Sequence, residues 1–216
     1  MIIKNLGLID YKEAYQTQLA LVESVRELPE SETLIICSHP PVVTLGKKST
    51  RDDLIGWEGD VQEIERGGKA TYHGPSQVVI YPILDLKIRH QDIAGFLAAM
   101  ENAMILSLKD YGISSEGNFE RGKPDYTGVW IKHCGQKRKI ASIGVAVKRW
   151  ITYHGLAFNL YKDNEAFTGI NPCGFTTETM ISLEEVIDGQ EKPSRSSFEQ
   201  SLSSHLIEEF TKLRKS

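Results

Sequence analysis

The part of the sequence that most limits the possible folds is the stretch from residue 126 to residue 160. It contains three strand-like runs rich in β-branched and aromatic residues: Tyr126 to Lys132, Ile140 to Val147 and Ile151 to Leu160. The breaks between these runs are short enough for hairpin turns. The pattern therefore predicts three consecutive antiparallel strands, against which other segments of the chain must pack.

Three amphipathic helices are predicted around these strands, at residues 10–28, at residues 93–111 and from about residue 196 to residue 213. In each, apolar residues recur at helical spacing. Ser196 and Glu199 resemble a capping box at the start of the third helix. The helices give the sheet apolar faces to pack against.

Further strand-like runs lie at residues 33–37, 42–45 and 78–81. Together, these elements predict an α/β or α+β protein with a mixed or antiparallel sheet flanked by helices. The chain has 216 residues, of which 40% are hydrophobic, and this suits one sizeable domain. No repeat or flexible linker divides the chain, so residues 1–216 are predicted to form a single domain.

The charge balance argues against a nucleic-acid-binding protein. Twenty-five basic and 29 acidic residues give a net charge of −4, which provides no general positive field for phosphate. Basic residues cluster locally at residues 47–51 and 137–149. Each cluster is either a solvated surface or a face that attracts an acidic protein partner.

Cysteine usage points to a reducing, cytoplasmic setting. The three cysteines, Cys37, Cys134 and Cys173, lack the short paired spacings of zinc sites and redox pairs, so no metal is expected. The N-terminus does not have the pattern of a signal peptide, and no apolar run approaches the length needed to span a membrane.

A glycine-rich stretch, residues 66–77, is the strongest candidate for a ligand-binding loop. Gly67, Gly68 and Gly74 permit backbone conformations and close approaches that side chains forbid. The strand at residues 78–81 follows directly and should hold the loop in place. Glycine pairs also form ordinary hairpin turns, so the composition alone leaves that alternative open.

Cys173 is the best candidate for a nucleophile. It lies between Pro172 and Gly174, a sequence that favours a tight turn able to present a side chain. Cys37 lies in an apolar run and is expected in the core, whereas Cys134 falls in a predicted hairpin. A loop cysteine without function remains the alternative for Cys173.

A free thiol is mostly protonated at neutral pH, so a cysteine nucleophile needs a neighbour that stabilises the thiolate or accepts its proton. Lys139 is one candidate. It begins a strand whose odd-numbered positions, from Ala141 to Val147, are apolar, and it would point inward if that face does. The alternative is an exposed basic hairpin at residues 137–139.

Five motifs in this order closely resemble the lipoyl(octanoyl) transferase family over nearly the whole chain. One residue departs from the family pattern: Ser76 stands where members commonly have glycine. The segments that carry the resemblance are His39-Pro40-Pro41 with Thr44-Leu45-Gly46, Arg66 to Gln77 with Tyr81, Lys139 to Gly144, Tyr153 to Asn159, and Asn171-Pro172-Cys173-Gly174.

The resemblance implies a single acyltransferase domain with a fold like that of biotin and lipoate protein ligases. An octanoyl or lipoyl group would pass from acyl carrier protein to a lysine of the lipoyl domains of 2-oxoacid dehydrogenase complexes or of the glycine cleavage H protein. Cys173 matches the nucleophile that becomes an acyl thioester, and Lys139 matches the lysine that activates it. No cofactor is implied, and neither nucleic acid nor a membrane is an expected partner.

The family's other site residues also transfer by motif. His154 and Asn159 match residues that support the site. The residues that match the three substrate-binding segments are Arg66, Gly67, Gly68, Lys69, Ala70, Thr71, Tyr72 and His73; Ser142, Ile143 and Gly144; and Gly155, Leu156 and Ala157.

The implied reaction is ping-pong covalent catalysis, which requires no nucleotide. Consistent with this, the sequence contains no phosphate-binding loop of the Gly-x-x-x-x-Gly-Lys-Ser/Thr type. Three alternatives remain: an ATP-dependent lipoate-protein ligase, in which Lys139 would bind an acyl-adenylate; an amidotransferase acting between lipoyl domains; and a non-catalytic protein that binds lipoyl domains.

Overall fold

The computed structural model describes residues 1–120, 122–187 and 191–215. Within these ranges the strands are β1 (Ile2–Leu8), β2 (Thr33–Ser38), β3 (Val42–Leu45), β4 (Asp60–Glu63), β5 (Thr71–His73), β6 (Gln77–Ile83), β7 (Ser115–Glu116), β8 (Gly128–His133), β9 (Gln136–Lys148) and β10 (Ile151–Asn159). The α-helices are α1 (Tyr11–Glu27), α2 (Ile93–Lys109), α3 (Leu183–Val186) and α4 (Arg195–Lys212).

The strands form two sheets. The larger has seven strands in the order β1-β2-β6-β10-β9-β8-β7, and the smaller has three in the order β4-β3-β5. The pairs β1/β2 and β3/β4 are parallel, whereas the remaining pairs are antiparallel. The predicted mixed α/β architecture, with sheets flanked by helices, is confirmed.

Alternation along the central strands divides the core between two faces. Leu34 and Ile36 of β2 join a cluster with residues of α2 and α4, whereas Ile35 and Cys37 join a second cluster with residues of α1. Successive side chains of a strand point to opposite faces, so β2 contributes to both clusters. Cys37 is 2% exposed, which confirms its predicted place in the core.

The two predicted hairpins are present and have two-residue turns. Cys134 and Gly135 join β8 to β9, and both have positive φ angles. Arg149 and Trp150 likewise join β9 to β10 with positive φ angles. Positive φ at both central residues is typical of the type I′ turn, whose twist matches that of the paired strands.

The observed elements differ from the prediction in several places: β4, β5 and β7 were not predicted as strands, and β9 begins at Gln136 and not at Ile140. β1 was not predicted, because it is an edge strand with mostly exposed side chains and no strong apolar pattern. β8 begins at Gly128, since Pro124–Tyr126 forms a 3₁₀ turn. The third predicted helix is α4, and its N-cap is Ser194, whose hydroxyl accepts from the Ser197 amide; the prediction of Ser196 was wrong. None of the described helices combines the length and apolar character needed to cross a bilayer.

A buried ion pair connects the start of β2 to the segments around β6 and α4. Arg89 and Glu32 form a bidentate pair, and each side chain is 1% exposed. Arg214 also donates to Glu32, at 2.8 Å. Burial alone would raise the pKa of Glu32, but the hydrogen bonds and charge of Arg89, together with Arg214, hold that pKa below its usual value.

Glu32→Gln is expected to destabilise the protein by about 3–5 kcal/mol, because it leaves the Arg89 guanidinium buried without a counter-charge. Because the folded-state pKa of Glu32 is lowered, its contribution is present above the ordinary carboxyl value of 4.5 and is lost as pH falls through the lowered pKa. Urea unfolding as a function of pH measures both effects. Glu27→Gln, at a side chain that is 74% exposed, is the control, and equal losses in the two variants would contradict the prediction.

Candidate active site

One pocket collects most of the residues predicted for the site. It lies between the glycine-rich loop, the paired strands β9 and β10, the start of α1 and the turn that carries Cys173. The predicted residues that line it are Arg66, Gly67, Gly68, Lys69, Thr71, His73, Lys139, Ser142, Ile143, Gly144, His154, Gly155, Leu156, Ala157 and Cys173. We call this cavity the site pocket.

Cys173 lies at the centre of a 3₁₀ turn formed by Pro172–Gly174. Its φ of +56° is in the left-handed region, which is uncommon for residues other than glycine and is often found at functional sites. The Cys173 amide donates to the carbonyl of Ala70 at 2.8 Å. The turn is therefore attached directly to the glycine-rich loop, and the half-buried thiol faces the site pocket.

Lys139 reaches the site pocket because β9 contains a bulge. Lys139 pairs with Trp130 of β8, but Ala141 pairs with the adjacent Val129, so Ile140 is the extra residue. Ala141 and Val129 belong to the core cluster under α2 and α4, whereas Lys139 lines the pocket on the other face. Lys139 is buried, so the alternative of an exposed side chain is wrong. The reason given for an inward orientation was also wrong, since Lys139 does not share a face with Ala141.

The Lys139 amino group lies in an aromatic environment. The side chain is only 1% exposed, and its Nζ lies 5.3 Å from the ring centroid of Trp130 and 5.6 Å from that of Phe175. Nζ donates to the carbonyl of Asp125 at 3.1 Å. In the part of the chain that the structure describes, no carboxylate oxygen lies within 4.0 Å of this nitrogen. Cation–π contacts and one carbonyl are therefore the contacts that stabilise the charge whenever this amine is protonated.

Ser142 links the strand that carries Lys139 to the nucleophile candidate. Its Oγ lies 3.7 Å from the Cys173 Sγ, within the range of a sulfur hydrogen bond. Ser142 pairs with Ala157 of β10, and both residues line the site pocket. The sheet thus fixes a hydroxyl next to the thiol.

Arg66 organises the glycine-rich loop. Its guanidinium is buried and donates to Thr44 Oγ1, to the Thr44 carbonyl and to the carbonyls of Gly67 and Lys69, at distances between 2.6 and 3.2 Å. Burial lowers the pKa of Arg66, whereas the nearby Cys173 acts in the opposite direction. Because the Arg66 side chain binds the carbonyls of Gly67 and Lys69, it fixes the path of the loop backbone.

Histidines and tyrosines cluster in one wall of the site pocket. His73 stacks on Tyr11, with ring centroids 5.8 Å apart, and the Tyr11 hydroxyl lies 3.4 Å from His154 Nδ1. Behind them, the Tyr81 hydroxyl lies 2.8 Å from His39 Nε2. Burial lowers the pKa of His73 well below its usual value, and burial with the Arg66 charge lowers the pKa of His154 to about 3. Both imidazoles are neutral at physiological pH.

The chain has clear relatives among known proteins. A family model, the lipoyl protein ligase A/B catalytic domain, matches residues 10–207. An octanoyltransferase of Bdellovibrio bacteriovorus is 41% identical over 220 residues, which cover 96% of this chain and 98% of the relative. The chain belongs to the lipoyl protein ligase A/B catalytic-domain family. The predicted family and the predicted class of enzyme, an acyltransferase, are thereby confirmed.

Solved structures agree with this family at the level of the fold. A lipoate-protein ligase A bound with ATP aligns with a TM-score of 0.66 at 16% identity, covering 99% of this chain and 85% of that one. The biotin protein ligase of Aquifex aeolicus aligns with a TM-score of 0.54 at 10% identity, covering 98% of this chain and 69% of that one. The predicted likeness to the biotin and lipoate ligase fold is confirmed.

Three predicted site residues lie outside the site pocket of this family member. Ala70 and Tyr72 belong to a separate core cluster, and the Tyr72 hydroxyl donates to Asp163 at 3.2 Å. Asn159 accepts from the Gln77 side chain at 2.9 Å and donates to the Ile181 carbonyl at 3.1 Å, so it connects β10 to its neighbours. These side chains stabilise the elements around the pocket and do not line it.

Five residues that line the site pocket were not predicted as site residues: Tyr11, Tyr81, Pro124, Asp125 and Thr127. The two tyrosines lie in an amphipathic helix and a buried strand, where an aromatic residue normally indicates core packing. The other three belong to a turn that comes together with β9 only in the folded chain. For Tyr81 the only sequence signal was its place in a family motif.

Proposed function

We propose that this chain transfers an octanoyl or lipoyl group from acyl carrier protein to a lysine of a lipoyl domain, with Cys173 as the nucleophile. The observation that carries the proposal is the meeting of Cys173 and Lys139, from distant parts of the sequence, in one pocket that Ser142 also lines. The curated relative named octanoyltransferase supports the nature of the acyl group.

In the first step, the Cys173 thiol gives its proton to the Lys139 amine and the sulfur attacks the thioester carbonyl of the donor. The bond between the carbonyl carbon and the donor sulfur breaks. The departing thiolate takes the proton from Lys139. One thioester replaces another, so this step needs no energy from a nucleotide.

In the second step, the amine of the acceptor lysine attacks the Cys173 thioester. A carbon–nitrogen bond forms, the bond to the Cys173 sulfur breaks, and the extra proton on nitrogen passes through Lys139 to the cysteine thiolate. The products are an amide and the original thiol and amine. Formation of an amide from a thioester is downhill and makes the transfer effectively irreversible.

Both steps pass through a tetrahedral oxyanion that needs hydrogen-bond donors. The Cys173 amide already donates to Ala70, so it is not free for this role. Ser142 Oγ, 3.7 Å from the Cys173 sulfur, and the Lys139 ammonium are the donors we assign to the oxyanion. Loss of one such donor typically costs about 10²–10³-fold in rate.

The experiment is a transfer assay without ATP, with purified protein, octanoyl acyl carrier protein and an apo lipoyl domain. We expect octanoylation of the lipoyl domain, observed by intact mass, and a ping-pong pattern in initial rates. Transfer that requires ATP and free octanoate would instead identify a ligase. Binding of the lipoyl domain with no transfer under either condition would identify a non-catalytic protein.

A further inference from the structure

Two groups of residues that line the site pocket differ in exposure. Cys173 and Asp125 are half-buried. Tyr11, His73 and His154, which we call the buried wall, are each less than 10% exposed. An acyl group attached to the thiol can extend along β10 from Cys173 towards the buried wall.

The register of β9 and β10 sets the length of this path. Ser142, next to the thiol, pairs with Ala157, and three residues along β10 lies His154. Three residues of a strand span about 10 Å. An extended alkyl chain advances about 1.3 Å per carbon, so eight carbons span about 10 Å as well. An octanoyl chain would thus only just reach the level of His154 on β10.

Backbone geometry turns His154 towards the pocket. Its φ is +56°, in the left-handed region, and its ring lies 4.8 Å from that of the preceding Tyr153 and stacks on Tyr15 of α1 at 5.4 Å. Consecutive side chains of a regular strand would lie on opposite faces. This conformation costs energy in the folded state, which is typical of residues held for a function.

The buried wall carries nitrogens that lack a well-formed hydrogen bond. Among the residues that the structure describes, buried His154 Nε2 has no hydrogen-bond partner, and buried His73 Nδ1 makes no hydrogen bond of good geometry, although the Gln77 side chain interacts with the His73 ring. The Tyr11 hydroxyl lies 3.4 Å from His154 Nδ1. Whichever of these two atoms donates, Nε2 of the neutral ring is left as a donor or as an acceptor that a polar ligand group can pair with. A buried donor or acceptor without a partner is costly, so these atoms favour a polar group at this position.

We propose that His73 and His154 determine which acyl chains are accepted, because the wall that they form where the acyl chain ends is polar and not apolar. This inference rests on the proposed function and on Cys173 as the attachment point. A saturated chain that stops before the nitrogens is accepted. A longer saturated chain places methylene groups against them and is disfavoured, whereas a chain of the same length that ends in a hydroxyl satisfies them.

Isosteric acyl donors test this directly. Octanoyl and 7-hydroxyheptanoyl groups have equal numbers of chain atoms, as do decanoyl and 9-hydroxynonanoyl groups. For each pair, the measured quantity is kcat/KM for the hydroxylated donor divided by kcat/KM for the alkyl donor. For the wild-type protein we expect this ratio to be at least about tenfold higher for the longer pair than for the shorter pair. A ratio that is flat or falls would overturn the proposal without any variant being needed.

His73→Phe and His154→Phe then assign the effect to these residues. Each variant is expected to lower the ratio for the longer pair by about tenfold and to accept decanoyl better than the wild type does. Folding is checked by the melting temperature. If the wild type transfers octanoyl groups and the ratios are identical in all three proteins, the inference is wrong but the proposed function stands. If the wild type does not transfer octanoyl groups, the proposed function itself is wrong.

Discussion

Cys173→Ser is expected to abolish the acyl-enzyme and to lower transfer by more than about 10³-fold, because a hydroxyl is a far weaker nucleophile than a thiolate. The serine differs from cysteine by one atom, so the turn at Pro172–Gly174 should persist. Intact mass after mixing with octanoyl carrier alone measures the intermediate. Steady-state transfer to the lipoyl domain measures the overall rate.

Cys134→Ser is the matched control. Cys134 also has a left-handed φ, of +48°, but it is exposed in the turn between β8 and β9. The same substitution there should leave both the acyl-enzyme and the transfer rate unchanged. Transfer by Cys173→Ser at the wild-type rate would show that another group attacks the donor, and the covalent route would be wrong.

Lys139→Met is expected to lower kcat by about 10²–10⁴-fold, the usual contribution of a positioned proton-transfer group. Methionine retains most of the apolar contacts with Trp130 and Phe175 but has neither charge nor proton. Single-turnover measurements of acylation and of transfer to the lipoyl domain should both be slowed, because Lys139 acts in each step.

Lys137→Met separates this effect from a general loss of positive charge. Lys137 lies two residues earlier on β9, and its Nζ lies 3.3 Å from the ring centroid of Phe119, but it is half-exposed and pairs with Glu116. It should transfer acyl groups at the wild-type rate. If Lys137→Met and Lys139→Met lose activity equally, the ammonium at position 139 has no specific role.

Local sequence patterns were sufficient for much of the fold. The strands on either side of Cys134-Gly135 and Arg149-Trp150 were predictable because short breaks between strand-like runs select two-residue hairpins. β1 was not predictable, since an exposed edge strand gains stability from pairing with β2 rather than from its own apolar pattern. Its existence depends on a partner strand that is distant in sequence.

The candidate site was predictable in part. The turn at Cys173 and the glycine-rich loop carry local signals, because proline and glycine restrict or release the backbone. Lys139 was selected by an alternation that the bulge at Ile140 interrupts. Tyr11 and His154 contact each other across 143 positions of sequence, so no local pattern could indicate that they line one pocket.

The extra residue at Ile140 also affects how freely this sequence can change. It separates the register that packs Ala141 against the helices from the register that directs Lys139 to the site pocket. Interior positions beyond the bulge can therefore exchange one apolar residue for another without rotating the ammonium away from its aromatic neighbours. Substitutions in the core are thus separated from the position of the Lys139 side chain. Deletion of one residue at this point would place both in the same register again.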